Sequence, residues 1–289
     1  MDKSAPLLTI ITPTFNAAST IVRCMENVQQ QTFKDFIHLI VDGVSSDETL
    51  SLIANFQGRN ENIEVMSGKD KGVYDAMNKG IKVARSSWLF FLGSDDYFYT
   101  NTVLNDIAPL LQKRNSGILY GDVYYKKYGR IYDGYFDMEK ILKRNICHQA
   151  VFYHSSVFET LGYYSLKYKT ESDYHFHLRC WLKGEFEIVY FPLVVAYYSE
   201  GGISDHSRDR ALVEDYPDIV LDAVLTSKRT FLEKVNLSSK VYRKIVQRYS
   251  LAYLPGYIFK TQFMAGRLLA FTWMVVSFPY HLITKKLVK

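Results

Sequence analysis

The stretch Trp88-Leu-Phe-Phe-Leu-Gly-Ser-Asp-Asp-Tyr97 decides the fold. Its run of large apolar residues predicts a strand, Trp88–Leu92, that is buried on both faces and ends in a turn at Gly93. The carboxylates of Asp95 and Asp96 follow directly, and two such neighbours repel each other unless a cation or several donors lie between them. One interpretation is a solvated Ser-Asp-Asp turn. The other is a divalent cation held by one or two carboxylates and completed by substrate phosphates.

Strands and helices alternate on the amino-terminal side of this stretch. The apolar pattern predicts strands at Leu7–Thr12, Phe36–Asp42 and Ile63–Ser67. A first helix opens within Asn16–Thr20 and runs to about Gln31, a second follows the loop Gly43–Thr49 and runs to about Phe56, and a third covers Lys71–Ala84. A helix cap is expected at Ser19 or Thr20. Such short connections imply right-handed crossovers and a mostly parallel sheet, which is the architecture of a nucleotide-binding domain.

The pattern changes at about Gly117. Further strands are predicted at Ile118–Tyr125, Gly129–Tyr135, Ala150–Phe158 and Ile188–Tyr198, with a helix around Tyr174–Lys183 and helical sequence after Arg208. The stretch at 200–215, which contains Gly-Gly followed by several Ser, Asp and Arg residues, predicts a flexible boundary loop. We therefore expect three regions, 1–116, 117–207 and 208–289.

Composition indicates a globular protein, because 48% of the 289 residues are hydrophobic and 22% are charged. The net charge is +5 and basic residues become denser toward the end, which favours an anionic surface over a nucleic-acid groove. Three widely spaced cysteines, Cys24, Cys147 and Cys180, suggest a reducing compartment. The first residues do not resemble a secretory signal, so a cytoplasmic location is expected.

The stretch Leu268–Thr284 carries no formal charge and is flanked by Arg267 and by Lys285-Lys286. It is short for a membrane span, and it contains Trp273 and other aromatics. We predict a segment that lies at the membrane surface, anchored by aromatic and basic side chains. A helix that packs on the core and a transmembrane helix are the alternatives.

Polar loops follow the first three predicted strands: Thr12-Pro-Thr-Phe-Asn16, Asp42-Gly-Val-Ser-Ser-Asp47 and Asp70-Lys-Gly-Val-Tyr-Asp75. In a parallel sheet these loops meet at one edge, where ligands bind. Asp42 is able to accept from a base N–H or a ribose hydroxyl, and Lys71 to approach a phosphate. Taken singly, these are also ordinary turn and capping residues.

Together with Gly-Ser-Asp-Asp96, these loops resemble the successive motifs of the family-two, GT-A-fold inverting glycosyltransferases, in order and over roughly residues 6 to 205. The resemblance implies an α/β, Rossmann-like GT-A fold with a mostly parallel sheet. Region 1–116 would then be the nucleotide-sugar-binding half, region 117–207 a smaller mixed-sheet acceptor half, and region 208–289 a helical, membrane-associated tail.

The resemblance also implies roles for single residues. The nucleoside pocket would be formed by Thr12, Pro13, Asn16, Asp42 and Ser45, and the donor sugar and diphosphate side by Asp70, Lys71, Asp75 and Asn78. Asp96 would bind Mn²⁺ or Mg²⁺, and Asp95 would face the ribose or the sugar. Ser94 stands at the first acidic position of the motif, which leaves open how many metal ligands the protein supplies.

An inverting transfer needs a base for the acceptor hydroxyl. By resemblance this is Asp173 at a helix start, with Glu171 as the second choice, although an acid at a helix N-terminus is also stabilised by the dipole. The pair His148-Gln149 would contact the acceptor or the diphosphate, and Arg208 or His206 would neutralise the pyrophosphate. His175 and His177 are two residues apart and do not share a helix face, so a metal pair there is not expected.

The sequence thus predicts a metal-dependent inverting transfer of one hexosyl or N-acetylhexosaminyl group. The donor would be a nucleotide-diphosphate sugar, with UDP the commonest in the family. The acceptor would be a glycan or a polyprenyl-diphosphate-linked glycan of bacterial surface polysaccharide, at the inner face of the cell membrane, and no nucleic acid is expected to bind.

Two other functions are open. A sugar-nucleotidyltransferase would have a Gly-rich loop after the first strand, and Thr12-Pro-Thr-Phe-Asn-Ala17 has no glycine. A non-catalytic glycan- or nucleotide-binding scaffold would not need Asp95, Asp96 and Asp173.

Overall fold

The computed structural model describes residues 5–198, 209–234, 236–238 and 240–241. The strands are β1 (Leu8–Thr14), β2 (Phe36–Asp42), β3 (Ile63–Ser67), β4 (Trp88–Phe91), β5 (Tyr97–Phe98), β6 (Ile118–Tyr125), β7 (Arg130–Tyr132), β8 (Val151–His154) and β9 (Ile188–Tyr198). The helices are α1 (Ile21–Gln29), α2 (Thr49–Gln57), α3 (Val73–Val83), α4 (Val103–Gln112), α5 (Met138–Ile141), α6 (Ser155–Leu161), α7 (Ser172–Lys183) and α8 (Arg210–Leu225). Short 3-10 turns occupy Lys126–Tyr128 and His148–Ala150.

The strands form one mixed sheet in the order β3-β2-β1-β4-β8-β6-β9-β5, with β7 paired to β6. The first four strands are parallel, whereas β8 is antiparallel to both β4 and β6. The predicted α/β fold is confirmed, with a parallel part formed by β3, β2, β1 and β4 and a mixed part formed by the other five strands.

The register of the parallel strands brings their carboxyl ends to one level. Thr14 at the end of β1 lies opposite Asp42 at the end of β2, which in turn lies opposite Ser67 at the end of β3. Backbone bonds continue past the strands, since Gly43 N donates to Thr14 O (2.8 Å) and Gly68 N donates to Asp42 O (3.0 Å). The three polar loops therefore leave the sheet side by side.

Strand β4 is buried on both faces, as its sequence predicts. On one face Phe90 stacks on Phe152 with ring centroids 4.6 Å apart, and on Phe98 at 5.2 Å. On the other face Phe91 meets the rings of Tyr153 and Tyr164 edge-on. Truncation of one such ring to alanine typically costs about 3–5 kcal/mol, so β4 holds the acidic turn that follows it on a rigid base.

Several predicted boundaries were wrong. Strand β1 continues through Pro13 to Thr14. The predicted strand at Ala150–Phe158 is a strand only at Val151–His154, because the side chain of His154 accepts a hydrogen bond from Ser156 N and caps helix α6. Helix α1 begins after Thr20 as expected, but the Thr20 hydroxyl donates to Ala17 O (3.4 Å) and does not cap the helix.

The chain divides into two compact units. The first consists of the described residues of Met1–Asp137, Asn145–His177 and Phe186–Val213, and it contains the whole sheet. The second consists of the described residues of Met138–Arg144, Leu178–Glu185 and Glu214–Lys289. Within the second unit, the Arg229 guanidinium donates to the carbonyls of Trp181 and Leu182, both at 3.1 Å.

The described parts of the chain contain no helix that is both long and apolar enough to span a bilayer. The predicted membrane segment Leu268–Thr284 lies outside the described residues, as does most of the predicted loop at 200–215.

Candidate functional site

The loops after β1 and β2 are joined into one surface at the edge of the sheet. Asn16 N donates to Ser45 Oγ (2.8 Å), and the Asn16 side-chain oxygen accepts from Ser46 N (2.9 Å). Asn16 lies at φ 48° and Val44 at φ 65°, both in the left-handed region. The structure thus brings together Asn16, Ser45 and Asp42, which the sequence places in the nucleoside pocket.

Asp42 is buried and organises the loop that follows it. Its carboxylate accepts from Val44 N (2.9 Å), Ser45 N (3.1 Å) and the hydroxyls of Ser45 (2.5 Å) and Ser67 (2.8 Å). These hydrogen bonds fix the conformation of the loop after β2. The hydrogen bond that we expect between Asp42 and a base or ribose would come in addition to these four.

Thr12 and Pro13 are buried within β1. Thr12 Oγ1 bonds His38 Nε2 at 2.9 Å, and burial lowers the pKa of His38 to about 3, so the imidazole is neutral. Both residues thus belong to the buried part of the sheet. The structure does not bring them to the open surface where the sequence places them.

The loop after β3 carries the predicted diphosphate residues. Asp70 Oδ1 accepts from Gly72 N (2.9 Å), and its Oδ2 lies so close to Gly43 that a Cβ there would be 2.6 Å away. Asp75 accepts from Lys71 N at 3.0 Å, and the Lys71 side chain is exposed. Asp70, Lys71 and Asp75 thus lie together beside the nucleoside-side loops.

Asn78 differs from the other predicted donor residues. It is buried in α3, its amide nitrogen donates to Tyr164 O (2.9 Å) and its amide oxygen accepts from Tyr164 N (3.0 Å). Both polar atoms of the side chain thus form hydrogen bonds with the backbone of Tyr164. Asn78 therefore joins α3 to the loop after α6 and does not face the open edge of the sheet.

The acidic turn after β4 is built around Gly93. A Cβ at Gly93 would lie 2.7 Å from Asp96 Oδ2 and 2.9 Å from Asp95 Oδ1, so both carboxylates converge on the space that glycine leaves. Arg23 donates to Asp95 O (3.1 Å) and lies over the Tyr97 ring at 4.7 Å. This guanidinium holds the turn from the side of α1.

Asp96 is buried, and its Oδ2 accepts from Gln149 Nε2 at 2.7 Å. The described residues contain no group of three or more His, Cys, Asp or Glu arranged to hold a metal ion. Two converging carboxylates do fit a divalent cation that takes its other ligands from water and substrate phosphates, as Mg²⁺ commonly does.

Asp173 lies at the start of α7, buried among donors from other elements. Tyr74 of α3 donates its hydroxyl to Oδ1 (2.8 Å), Asn145 donates its amide to Oδ2 (2.7 Å), and His148 Nδ1 lies 3.7 Å from Oδ2. Burial raises the pKa of Asp173, but contact with His148 and the bond from Tyr74 outweigh it and hold the pKa below its usual value. The carboxylate is therefore ionised at neutral pH.

Behind Asn145 a buried chain of hydrogen bonds fixes its orientation. His177 Nδ1 bonds Asn145 Oδ1 at 2.6 Å, and His177 Nε2 bonds the Tyr153 hydroxyl. Burial lowers the pKa of His177 to about 4, so the ring is neutral. The consistent assignment has Tyr153 donating to Nε2 and Nδ1–H donating to Asn145, which leaves the Asn145 amide group to donate to Asp173.

Glu171, the second candidate base, has a different environment. Its Oε2 accepts from Asp209 N (2.9 Å), and Asp209 itself accepts from Thr170 N (3.2 Å) and from the first turn of α8. Glu171 thus supports the start of α8. Arg208 and His206, the predicted pyrophosphate ligands, lie outside the described residues.

One short segment contacts both acidic centres. From the stretch Asn145–Gln149, Asn145 and His148 reach Asp173, and Gln149 reaches Asp96. The Gln149 amide oxygen accepts from the Cys147 thiol, so the amide nitrogen faces Asp96. Burial, followed by the charge of Asp96, raises the pKa of Cys147 well above its usual value, and the thiol stays protonated.

Sequence reasoning missed Tyr74, Asn145 and Arg23 as site residues, and it named Gln149 together with His148 but not as a partner of Asp96. Tyr74 and Gln149 stand inside stretches that the sequence singled out, beside Asp75 and His148. Nothing local marks Asn145 or Arg23, because their partners are 28 and 72 residues away in the chain.

The sheet with its converging polar loops, acidic turn and buried carboxylate defines a glycosyltransferase of the GT-A type. The model of glycosyl transferase family 2 matches residues 9–175. A PGL/p-HBAD biosynthesis glycosyltransferase of Mycobacterium bovis (strain BCG / Pasteur 1173P2) is 39% identical over 219 residues, which is 74% of this chain and 85% of that protein. The chain belongs to glycosyltransferase family 2, and it is an enzyme of that class.

Solved structures share the fold at low identity. The structure of S. aureus TarS with UDP-GlcNAc aligns with a TM-score of 0.69 at 18% identity, covering 91% of this chain and 79% of that one. The mannosyltransferase PcManGT of Pyrobaculum calidifontis, in complex with GDP-Man and Mn²⁺, aligns with a TM-score of 0.60 at 15% identity, covering 97% and 84%.

Proposed function

We propose that this glycosyltransferase is metal-dependent and inverting, and that it moves one sugar from a nucleotide-diphosphate sugar to a glycan or lipid-linked acceptor. The observation that carries the proposal is the Asn145–Gln149 segment, which bonds the acidic turn at Asp96 and the ionised carboxylate of Asp173 at once. A single displacement at the anomeric carbon requires a base on one side and a site for the leaving group on the other, held in a fixed relation. One segment that bonds both would provide this.

The roles follow from the chemistry of each group. Asp96, with Asp95 beside it, would hold a divalent cation, which supplies positive charge to the departing nucleotide diphosphate. Asp173 would take the acceptor proton, and Tyr74 and Asn145 would keep its carboxylate ionised and oriented. Asn16, Asp42 and Ser45 would border the nucleoside, and Asp70, Lys71 and Asp75 the diphosphate and sugar.

The solved relatives support the donor and the metal. TarS was captured with UDP-GlcNAc and PcManGT with GDP-Man and Mn²⁺, so both donor bases are candidates, and we favour UDP. The acceptor and a place at the inner membrane surface rest on the family resemblance and on the basic tail.

A thermal-shift panel tests the proposal. UDP, GDP, dTDP and CDP are each added with and without Mn²⁺, because a ligand that binds only the native state raises Tm according to its affinity. We expect one nucleotide to give a Mn²⁺-dependent shift that is lost in Asp96→Asn. Folded protein that shows no shift with any nucleotide would contradict the proposal and favour a binding scaffold. Pyrophosphate release from a nucleoside triphosphate would indicate a nucleotidyltransferase.

A further inference from the structure

The hairpin formed by β6 and β7 leaves the sheet at the edge where the polar loops lie. Strand β8 is antiparallel to both β4 and β6, so β6 runs in the same direction as the parallel strands. The turn at residues 126–129, which joins β6 to β7, therefore projects from the carboxyl edge of the sheet. Tyr128 and Arg130 line the same cavity of about 380 Å³ as Asp173, which places the hairpin beside the proposed base.

The end of this hairpin is strongly basic. Lys126, Lys127 and Arg130 are exposed, and the stretch 123–132 contains no Asp or Glu. Among the described residues, no carboxylate forms an ion pair with Lys126 or Arg130. The positive charge of the turn is thus not neutralised by described parts of the chain, and it suits an anionic partner.

Apolar side chains are exposed next to these cations. Tyr128 is 58% exposed and Ile131 is 56% exposed. The cationic groups of Lys127 and Arg130 lie 5.7 Å and 5.5 Å from the centre of the Tyr128 ring. Aromatic, aliphatic and basic side chains together are typical of protein surfaces that contact lipid headgroups, whereas a soluble polyanion would need only the cations.

We propose, building on the membrane location proposed above, that the end of this hairpin docks on an anionic lipid surface. Lys126 and Arg130 contact lipid phosphates, and Tyr128 and Ile131 enter the headgroup layer. Neighbouring residues of a strand face opposite sides, so Arg130 and Ile131 both reach the lipid only if the hairpin meets it end-on. The cavity beside the proposed base then lies next to the lipid surface, where a lipid-linked acceptor would be held.

Vesicle flotation of the full chain tests the charged part of this contact. The vesicles contain equal parts of phosphatidylglycerol and phosphatidylcholine, and pure phosphatidylcholine serves as the neutral comparison. We expect the double variant Lys126→Glu/Arg130→Glu to weaken binding to the anionic vesicles by about tenfold or more. The matched control reverses Arg59 and Lys113, which are exposed and precede β3 and β6 at the opposite edge of the sheet. It changes the net charge equally and should stay within about threefold of the wild type.

A second pair of variants tests the apolar part of the contact. We expect Ile131→Ser to weaken binding to the anionic vesicles by about threefold to tenfold, because its side chain no longer gains from leaving water. The control Val83→Ser changes a hydrophobic residue that is 46% exposed at the end of α3, and it should bind as the wild type does. The melting transition of each variant shows that folded protein is compared.

Several results would overturn the proposal. Binding that Lys126→Glu/Arg130→Glu weakens no more than the Arg59 and Lys113 control would mean that the hairpin does not contact the lipid, while the proposed membrane location stands. Loss in the double variant without loss in Ile131→Ser would indicate a soluble polyanion as the partner. Self-association without vesicles that Ile131→Ser abolishes would indicate a second copy of the chain.

The wild type separates this proposal from the proposed function. If it does not bind the anionic vesicles, the hairpin contact and the membrane location both fail. The nucleotide-induced Tm shift needs no lipid, so it still reports on the proposed glycosyl transfer by itself.

Discussion

Asp173 illustrates how a buried acid is kept ionised. A carboxylate removed from water would tend to take up a proton, and here Tyr74 and Asn145 each donate a hydrogen bond to it. Burial, and then the charge of Asp173, raise the pKa of Tyr74 well above its usual value, so Tyr74 remains a donor. The groups that face Asp173 are Tyr74 from α3, Cys147 and His148 from the turn before β8, and His177 one turn along α7.

We expect Asn145→Ala to move the acid limb of the pH–rate profile to higher pH. Asp173 must be ionised to act as the base, and its lowered pKa keeps it so well into the acid range. Removing the Asn145 donor destabilises the ionised form, so the pKa rises and activity is lost earlier as the pH falls. The measurement is kcat/KM for donor hydrolysis against pH.

Gln31→Ala is the matched control for this variant. Gln31 is a buried amide that donates to Thr100 O (2.7 Å) and accepts from Leu104 N (3.1 Å), far along the chain from the base. Both variants should lower Tm, because each leaves buried polar groups unpaired at about 1–3 kcal/mol. An acid limb that stays in place in Asn145→Ala, or moves equally in Gln31→Ala, would refute the positioning role of Asn145.

The turn after β4 requires a residue without a side chain at Gly93. We expect Gly93→Ala to abolish the Mn²⁺-dependent part of the nucleotide Tm shift, because its Cβ would collide with the carboxylates of both Asp95 and Asp96. Gly68→Ala, in the loop after β3, meets no atom within 4 Å and should behave as the wild type. An unchanged Mn²⁺ response in Gly93→Ala would mean that the metal does not bind between these carboxylates.

The elements themselves could be predicted because their signals are local. The bounds of β2, β3, β6 and β9 were predicted from apolar runs and from the turn-forming Gly, Pro and Asp residues near them. The structure has the same bounds. The helix at Ser155–Leu161 was missed because the side chain that caps it belongs to His154. Histidine is not a usual capping residue, so the sequence suggests that the strand continues. The bonds from Asn145 to Asp173 and from Gln149 to Asp96 could not be found, since they depend on the tertiary packing of distant segments.

At the scale of the whole molecule, charge is unevenly distributed along the sequence. From Lys234 to Lys289 there are ten Lys and Arg residues and no Asp or Glu, whereas the net charge of the chain is only +5. The rest of the protein is therefore net negative. A basic end next to aromatic sequence is suited to an anionic lipid surface, and each basic residue near such a surface contributes about 1 kcal/mol.

We expect the full chain to co-sediment with vesicles that contain phosphatidylglycerol more than with neutral phosphatidylcholine vesicles, and to be released by salt. Reversal of Arg267, Lys285 and Lys286 to Glu should weaken binding by at least about tenfold, since three favourable charges become repulsive. The control reverses Arg59, Lys82 and Lys113, which are exposed in the first unit and change net charge equally. Equal loss in both triple variants would mean that overall charge, and not the tail, determines binding. Absence of binding by the wild type would exclude a membrane-surface tail.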